Sequence, residues 1–194
     1  MRSDRGRERR GGFALRAVAL LIVAGVGGHS KPLFARQADQ NAASEYAVKA
    51  VFIHHLTRYL QWPQPEPSAS FEIAVLGESA IVPPLKAIAA KETIHERPIA
   101  IREVADIDSL GQPQILFIAK PAAPRLSQVL KKTRGRPILT IAEEEGLAAQ
   151  GIAVNFVLRG ESVKLEINEG ALRQSDLEPG SQLLRLAILV KGQR

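Results

Sequence analysis

Apolar and polar positions alternate most clearly near the C-terminal end of the chain. From Ile152 to Leu158, apolar residues occupy every second position, which is the period of a β-strand with two distinct faces. A second alternating run, Val163–Ile167, follows a polar turn around Gly160. Two alternating runs joined by a short glycine-containing turn predict a β-hairpin.

The residues after this hairpin predict short helices that close the fold. Glu169–Gln174 is typical of a short helical segment, and Pro179-Gly180 separates it from the next one. Ser181 is a candidate N-cap for a second helix, whose apolar side is Leu183–Ala187. Because both helices are short, we expect them to dock on a core formed by the rest of the chain.

The longest helical pattern lies between Ser44 and Trp62. Its apolar residues recur at spacings of three and four and cover much of the circumference, so the helix either lies deep in a domain or pairs with a second copy. Ser44 is the predicted N-cap, and Pro63 is predicted to end the helix. His54 and His55 point about 100° apart on a helix, which argues against a shared metal ion. One buried and one exposed imidazole is the favoured interpretation.

Between these regions, strands and helices alternate along the chain. Ile115–Ile118 is a continuous apolar run, typical of a strand covered on both faces. Strands separated by helical crossovers predict a largely parallel sheet. We therefore predict an α/β sandwich with a mixed, largely parallel sheet of five or six strands flanked by helices, ending in the β-hairpin and short helices. The remaining predicted elements are strands at Phe71–Leu76, Pro98–Ile101 and Ile138–Ile141, helices at Leu85–Lys91 and Arg125–Lys132, and a turn or short helix at Asp106–Leu110.

Two charged clusters flank the strand predicted at Ile138–Ile141. The basic cluster, Lys131 to Arg136, lies at the end of a predicted helix, where cations complement the helix dipole. An anion-binding or partner-binding site is the alternative for this cluster. The acidic cluster, Glu143–Glu145, is interpreted as the solvated start of a helix, with a cation site as the alternative.

The N-terminal residues predict an export signal. Residues 1–35 combine an arginine-rich start with an uncharged run of twelve residues, Ala17–Gly28. That length suits a signal peptide and is short of the roughly 20 residues that span a bilayer. We predict cleavage between residues 28 and 38, a polar spacer over residues 36–43, and a single α/β domain over residues 44–190. An uncleaved anchor, extended by Phe13–Leu15, is the alternative.

The charge and the cysteine content of the chain exclude several functions and kinds of site. The net charge of the chain is +6, but residues 1–35 hold seven basic and two acidic residues, so the remainder carries only +1. A nucleic-acid-binding surface is therefore not expected. The chain has no cysteine, which excludes disulfides, thiolate metal sites and a lipid-attachment cysteine.

No local catalytic motif is recognisable in the chain. It lacks a P-loop, a dinucleotide-binding glycine pattern and the G-x-S-x-G of hydrolases. We therefore expect no enzyme activity, no catalytic residue, no metal site and no cofactor. A hydrolase site assembled from distant residues is the enzymatic alternative, because its members need to meet only in space.

Short segments at both ends of the predicted domain share the pattern of a known family. They are Lys49-Ala50, Trp62-Pro63, Val154–Leu158, Leu165–Asn168 and Ser181–Ala187. In this order and spacing they resemble the YfiR-like family of bacterial periplasmic regulators. Ala74 stands in the area where that family typically has a cysteine, and Pro113-Gln114 replaces its Cys-His pair. The resemblance therefore implies that the disulfide of relatives is absent and that packing alone stabilises this fold.

The resemblance also implies a function. It implies a periplasmic repressor that binds the sensor region of an inner-membrane diguanylate cyclase and keeps cyclic di-GMP synthesis low. In that family an outer-membrane lipoprotein can sequester the repressor, and relatives are dimers, so we expect a homodimer here. The alternative is a periplasmic small-ligand binding protein that feeds a sensor kinase or a transport system, with a ligand at the carboxyl ends of the strands.

Five polar residues within the family-like segments are the candidate site residues. We expect four of them, Glu166, Asn168, Gln182 and Arg185, to satisfy backbone groups and to pair with one another where the hairpin meets the last helix. A guanidinium and a carboxylate match in shape, so a bidentate pair between Arg185 and Glu166 is predicted. A partner-binding surface is the alternative role. The five residues are Asn155, Glu166, Asn168, Gln182 and Arg185.

Overall fold

Residues 33–63 and 70–192 are described in the computed structural model of the chain, with side chains described from Gln40 onward. Residues 1–32, which hold most of the predicted signal peptide and its apolar run, lie outside the described residues. Residues 64–69, which follow Pro63, lie outside them too. From Leu33 onward the chain forms one compact unit.

The first helix, α1, covers Leu33–Leu56 and differs at both ends from the prediction. It begins before Ser44, which is therefore not an N-cap, because residues 33–43 contain no glycine or proline and several alanines that favour a helix. The predicted spacer over residues 36–43 is thus helical. The helix ends before Trp62, and no helix in the described part of the chain is both long and apolar enough to cross a membrane.

Strand pairing, and not Pro63, accounts for the early end of α1. The Thr57 hydroxyl donates a hydrogen bond to the His54 carbonyl at 2.7 Å, and the chain then turns into the two-residue strand β1, Leu60–Gln61. Strand β1 pairs antiparallel with β9, Glu178–Pro179, and forms a ladder separate from the main sheet. This ladder joins the end of α1 to the C-terminal part of the chain.

The two adjacent histidines of α1 behave as the pattern predicts. His54 is buried, and its Nε2 lies 3.3 Å from the Thr93 carbonyl oxygen. His55, the next residue on the helix, is exposed. The interpretation of one buried and one exposed imidazole is confirmed.

The main sheet has eight strands in the order β10-β8-β7-β6-β5-β2-β4-β3. The prediction of a mixed α/β fold is confirmed, but the predicted count of five or six strands is too low. The two outermost strands hold only two residues each, too few to produce a recognisable alternation. The strands are β2 (Phe71–Leu76), β3 (Thr93–Ile94), β4 (Arg97–Val104), β5 (Ile115–Ile118), β6 (Leu139–Ala142), β7 (Val154–Arg159), β8 (Ser162–Ile167) and β10 (Ile188–Leu189).

Parallel pairing dominates this sheet. Within the run β4-β2-β5-β6-β7, each strand is parallel to the next, and β10 is parallel to β8. The β7–β8 hairpin is antiparallel, as predicted, with Val154 opposite Ile167 and Arg159 opposite Ser162. Strand β3 adds a second antiparallel edge beside β4. Strand β4 is eight residues long, twice the length predicted from Pro98–Ile101.

Helices cover both faces of the sheet. Phe117 of β5 lies in the core shared with α1, whereas Leu116 of the same strand lies in the core on the opposite face. Strand β5 is therefore covered on both sides, as its apolar run predicts. The last helix takes Gly180 as its N-cap, so Ser181 is its first residue and not the cap. The remaining helices are α2 (Val82–Ala89), α3 (Leu126–Thr133), α4 (Glu169–Gln174) and α5 (Ser181–Leu186), with 3-10 turns at Ile107–Ser109 and Lys120–Arg125.

Candidate functional site

Two of the five predicted site residues, Asn155 and Glu166, lie opposite each other on the β7–β8 hairpin. The Asn155 amide donates to Glu166 Oε2 at 3.0 Å and to the Glu144 carbonyl at 2.9 Å. Glu166 Oε1 also lies 3.5 Å from Arg159 Nη2. The predicted pair between Glu166 and Arg185 is therefore wrong, because nearer groups on the hairpin take the carboxylate and Arg185 is exposed on α5.

The other predicted residues lie apart from this pair. Asn168 is buried and is the N-cap of α4, since its Oδ1 accepts from the Ala171 amide at 3.1 Å. Its Nδ2 donates to the Ala148 carbonyl at 2.8 Å. Gln182, like Arg185, is exposed on α5. The structure thus places the five residues at three separate positions and does not assemble them into one site.

A buried ion pair that the sequence analysis missed lies at the carboxyl end of β6. Lys49 Nζ on α1 is 2.6 Å from Glu143 Oε2 and 2.5 Å from Glu45 Oε1. The side chains of Lys49 and Glu143 are only 3% and 1% exposed. The prediction of Glu143–Glu145 as a helix start is wrong, because the chain forms turns there and Glu143 points inward.

The sequence positions these charges through two elements. Glu143 follows directly after β6, so it lies at the carboxyl edge of the parallel strands, where α1 crosses them. Lys49 and Glu45 are four residues apart on α1 and therefore share one side of that helix. One signal could have found this site: a lysine placed on a helix that is apolar around most of its circumference needs a buried partner.

The electrostatics keep Lys49 charged. Burial by itself lowers the pKa of Lys49, but the hydrogen bonds and charges of Glu143 and Glu45 outweigh it and raise the pKa above its ordinary value. The Tyr46 hydroxyl donates to Glu143 Oε1 at 3.2 Å. Burial and the nearby Glu143 carboxylate raise the pKa of Tyr46. All the charged groups of this cluster are thus held by one another.

Large apolar side chains are exposed on α1 and on β7. Val48 and Val51 are 41% and 46% exposed on the outer side of α1, and Leu158 is 45% exposed on β7. Phe52 connects the two elements, with its ring centroid 6.3 Å from that of Phe156. We call Val48, Val51, Phe52 and Leu158 the α1–β7 surface.

A cavity of about 320 Å³ lies at the ion pair and extends to Leu158. It is lined by the buried ion pair with Glu45, by apolar residues of β7, and by three exposed charged residues, Lys120, Glu144 and Glu145. Among the residues that the structure describes, no group of three His, Asp or Glu side chains is placed to hold a metal ion. This edge of the sheet thus combines a buried, paired cation with exposed charged and apolar side chains.

A model of the family described as YfiR/HmsC-like matches residues 46–188. The matched range begins within α1, next to the ion pair, and ends in β10, so it includes every strand of the main sheet. A search of curated proteins finds no match.

Proposed function

The chain belongs to the YfiR/HmsC-like family, and on that premise we propose that it is a periplasmic repressor of an inner-membrane diguanylate cyclase. The family is regulatory rather than catalytic, and it acts in cyclic di-GMP regulation. In this proposal the protein binds the periplasmic sensor region of the cyclase and keeps cyclic di-GMP low. The arginine-rich start and the apolar run of residues 1–35 support export to the periplasm.

The α1–β7 surface carries the proposal. Val48, Val51 and Leu158 are large apolar side chains that remain exposed although the core beneath α1 is fully packed. A cluster of exposed apolar side chains on a folded domain is typical of a protein-binding surface. The buried cation of this region, Lys49, is held by Glu143 and Glu45. A partner protein is therefore the ligand that this surface fits best.

The buried ion pair supports the same role in a different way. Lys49 and Glu143 tie α1 to the end of β6, so Val48 and Val51 on the same helix are held in a fixed position relative to Leu158. A surface that is already ordered before binding loses less conformational entropy when the partner docks. The ion pair thus acts as a support of the contact surface.

Further partners follow from the family in this proposal. An outer-membrane lipoprotein would compete with the cyclase for the repressor, and a second copy of the chain would form a homodimer. Both partners need an apolar contact of the kind that the α1–β7 surface offers. The cyclase, the lipoprotein and the second copy would then differ in their affinity for this surface. The cyclase lies in the inner membrane and the lipoprotein in the outer membrane.

The test uses a gene deletion in the native host and measures cellular cyclic di-GMP. We expect the level to rise on deletion and to fall again when the exported chain is restored. The variant Val48→Glu/Val51→Glu should fold but fail to restore the low level, because two charges are introduced into an apolar contact. The matched control is Ser127→Glu/Gln128→Glu, which adds the same charges to exposed positions of α3 on the other face of the sheet.

Two results would contradict the proposal. Cyclic di-GMP that does not change on deletion would separate the chain from this pathway. Full restoration by Val48→Glu/Val51→Glu would leave the repressor role standing and would exclude the α1–β7 surface as the contact. Circular dichroism of both variants shows whether a failure reflects a lost contact or a lost fold.

A second candidate function is a periplasmic small-ligand binding protein that feeds a sensor kinase or a transport system. It is favoured by a second and larger cavity, of about 780 Å³, beside α3 and α4. Its position differs from the carboxyl ends of the strands, where the sequence predicted a ligand. Unchanged cyclic di-GMP together with tight binding of a small molecule would favour this second function.

A further inference from the structure

The larger cavity lies where α3 ends, between α4 and the residues that follow β10. Its volume of about 780 Å³ falls within the range of about 300–1,000 Å³ that small-molecule sites occupy. Its walls come from the end of α3, from α4 and from Leu189–Gly192, and part of its floor is Thr140 of β6. We call this cavity the α3–α4 cleft.

Positive charge dominates the walls of the α3–α4 cleft. Arg134, Arg173 and Lys191 line it, and Glu169 is the single carboxylate among the residues that do so. Three cations and one anion give the cleft a net charge of +2. The Arg173 guanidinium lies 3.5 Å from Glu169, a loose contact between exposed side chains that contributes little stability.

Two of these cations have no ion-pair partner in the described part of the chain. They are Arg134 and Lys191, and both are exposed at the mouth of the cleft. Two neighbouring cations, Lys132 and Arg136, are by contrast held by protein groups. Lys132 reaches Asp108 at 3.1 Å, and Arg136 donates to the carbonyls of Gly111 and Lys132.

The floor of the cleft is polar and uncharged. Thr140 is nearly fully buried, and its Oγ1 accepts from the Ala153 amide at 3.1 Å, which leaves the hydroxyl hydrogen able to donate. Asn168 is held in the floor by one hydrogen bond to the Ala148 carbonyl and one from the Ala171 amide. Leu130 and Leu189 add apolar area to the walls.

From these contacts we propose that the α3–α4 cleft binds a small organic dianion, with the charge near Arg134 and Lys191. A dianion matches the net charge of +2, and the cleft is far larger than a bare inorganic ion requires. The apolar side chains accommodate a short carbon body. This chemistry is shared by dicarboxylates and by phosphate monoesters, which are the two sources to distinguish. The proposal does not depend on the cyclase, because the cleft and the α1–β7 surface share no residue.

The test measures binding to the purified protein by isothermal titration calorimetry. The probes are succinate and adipate as dicarboxylates, glycerol phosphate as a phosphate monoester, and inorganic phosphate and acetate as ions without a matching body or charge. We expect one of the two organic classes to bind, and inorganic phosphate and acetate to bind far more weakly. The class that binds identifies the source of the dianion.

Variants connect the binding to the cleft. Arg134→Gln and Lys191→Gln should each weaken binding by about tenfold, because each removes a charged hydrogen bond to the ligand. Lys131→Gln is the matched control, since it removes the same charge from an exposed position of α3 that does not line the cleft. It should leave binding unchanged.

Three outcomes would overturn the proposal. They are the absence of binding by either organic class, equal binding by the variant Arg134→Gln/Lys191→Gln, and an equal loss in the Lys131→Gln control. The last outcome would mean attraction to general surface charge. The cellular cyclic di-GMP measurement has no influence on any of these results, so the two proposals fail separately.

Discussion

Charged side chains surround a cavity at two places beside the same sheet, the carboxyl end of β6 and the α3–α4 cleft. The two places differ in whether the cations are buried and paired. At β6, the Lys49 ammonium is buried and lies within 2.6 Å of two carboxylates. In the cleft, Arg134 and Lys191 are exposed and have no ion-pair partner in the described part of the chain.

The difference follows from the cost of removing a charge from water. A buried charge without a partner destabilises the fold by several kcal/mol, so Lys49 must be paired for α1 to pack. An exposed cation keeps its water and can remain unpaired without such a cost. The paired charges of the first region therefore serve the fold, and the unpaired charges of the second remain available to a ligand.

Breaking the buried pair should have the largest effect on stability. Lys49→Met leaves Glu143 buried without its cation, and we expect a loss of about 3–5 kcal/mol in the free energy of unfolding. Urea denaturation measures this loss. The control is Lys86→Met, which breaks a pair with Glu103 whose side chains are both more than half exposed and should cost about 0–1 kcal/mol.

A double variant sharpens the interpretation of this loss. Lys49→Met/Glu143→Leu replaces both buried charges with apolar groups and should recover much of the stability. A single Lys49→Met variant that unfolds like the Lys86→Met control would show that Glu143 does not need its partner. The contrast between the two regions would then disappear.

The buried cap of α4 should have the next largest effect. Asn168→Ala removes the hydrogen bond to the Ala171 amide and leaves the Ala148 carbonyl without its donor, at a cost of about 1–3 kcal/mol. Urea denaturation again provides the measurement. Gln182→Ala and Arg185→Ala, at exposed positions of α5, should stay within about 0.5 kcal/mol of the parent. Equal losses in the free energy of unfolding at Asn168, Gln182 and Arg185 would instead support the single polar cluster that the sequence analysis predicted.

Alkaline pH should lower the free energy of unfolding by less than Lys49→Met or Asn168→Ala does. Near the ordinary pKa values of Lys49 and Tyr46, only a fraction of the molecules lose these protons. The folded protein raises the pKa of Lys49 above 10.5 and that of Tyr46 above 10.0. Both groups therefore contribute their full stability below the ordinary pKa values of 10.5 and 10.0. This contribution is lost as the pH rises through the raised pKa values of the folded protein. Urea denaturation at about pH 9 and about pH 11 measures the resulting loss in the free energy of unfolding. A loss of the same size in Lys49→Met/Glu143→Leu would assign the effect to other groups.

The smallest effect is expected in the cleft. Arg134→Gln and Lys191→Gln should change the free energy of unfolding by less than about 0.5 kcal/mol, because neither cation is buried or paired in the described structure. Thermal unfolding without ligand measures this change. A loss above about 1 kcal/mol would show that these cations have a structural role, which would remove the distinction from Lys49.

Much of the fold could be predicted because its pattern is local. The β7–β8 hairpin, the buried strand β5 and the division of roles between His54 and His55 follow from residues a few positions apart. The N-terminal extension of α1 and the two-residue edge strands were missed. A helix with no breaker has no marked start, and a strand of two residues has no period to recognise.

The candidate site was predicted less well, and particular residues show why. Asn155 lies opposite Glu166 because both belong to one hairpin, but the sequence analysis did not pair them. Arg185 was assigned to Glu166 by chemical type alone, but Arg159 is nearer. Glu143 was interpreted from its acidic neighbours, Glu144 and Glu145, although its own position after a buried strand points inward.

The sequence by itself therefore determined the secondary structure of the central strands, the α/β class and the segments that resemble the YfiR-like family. Each depends on the spacing of neighbouring residues along the chain. Only the tertiary structure decided that Lys49 meets Glu143, 94 positions away, and that Arg134 and Lys191 face one cleft. The physical reason is that burial and pairing of a charge depend on which distant segments pack against it, and no local period records that contact.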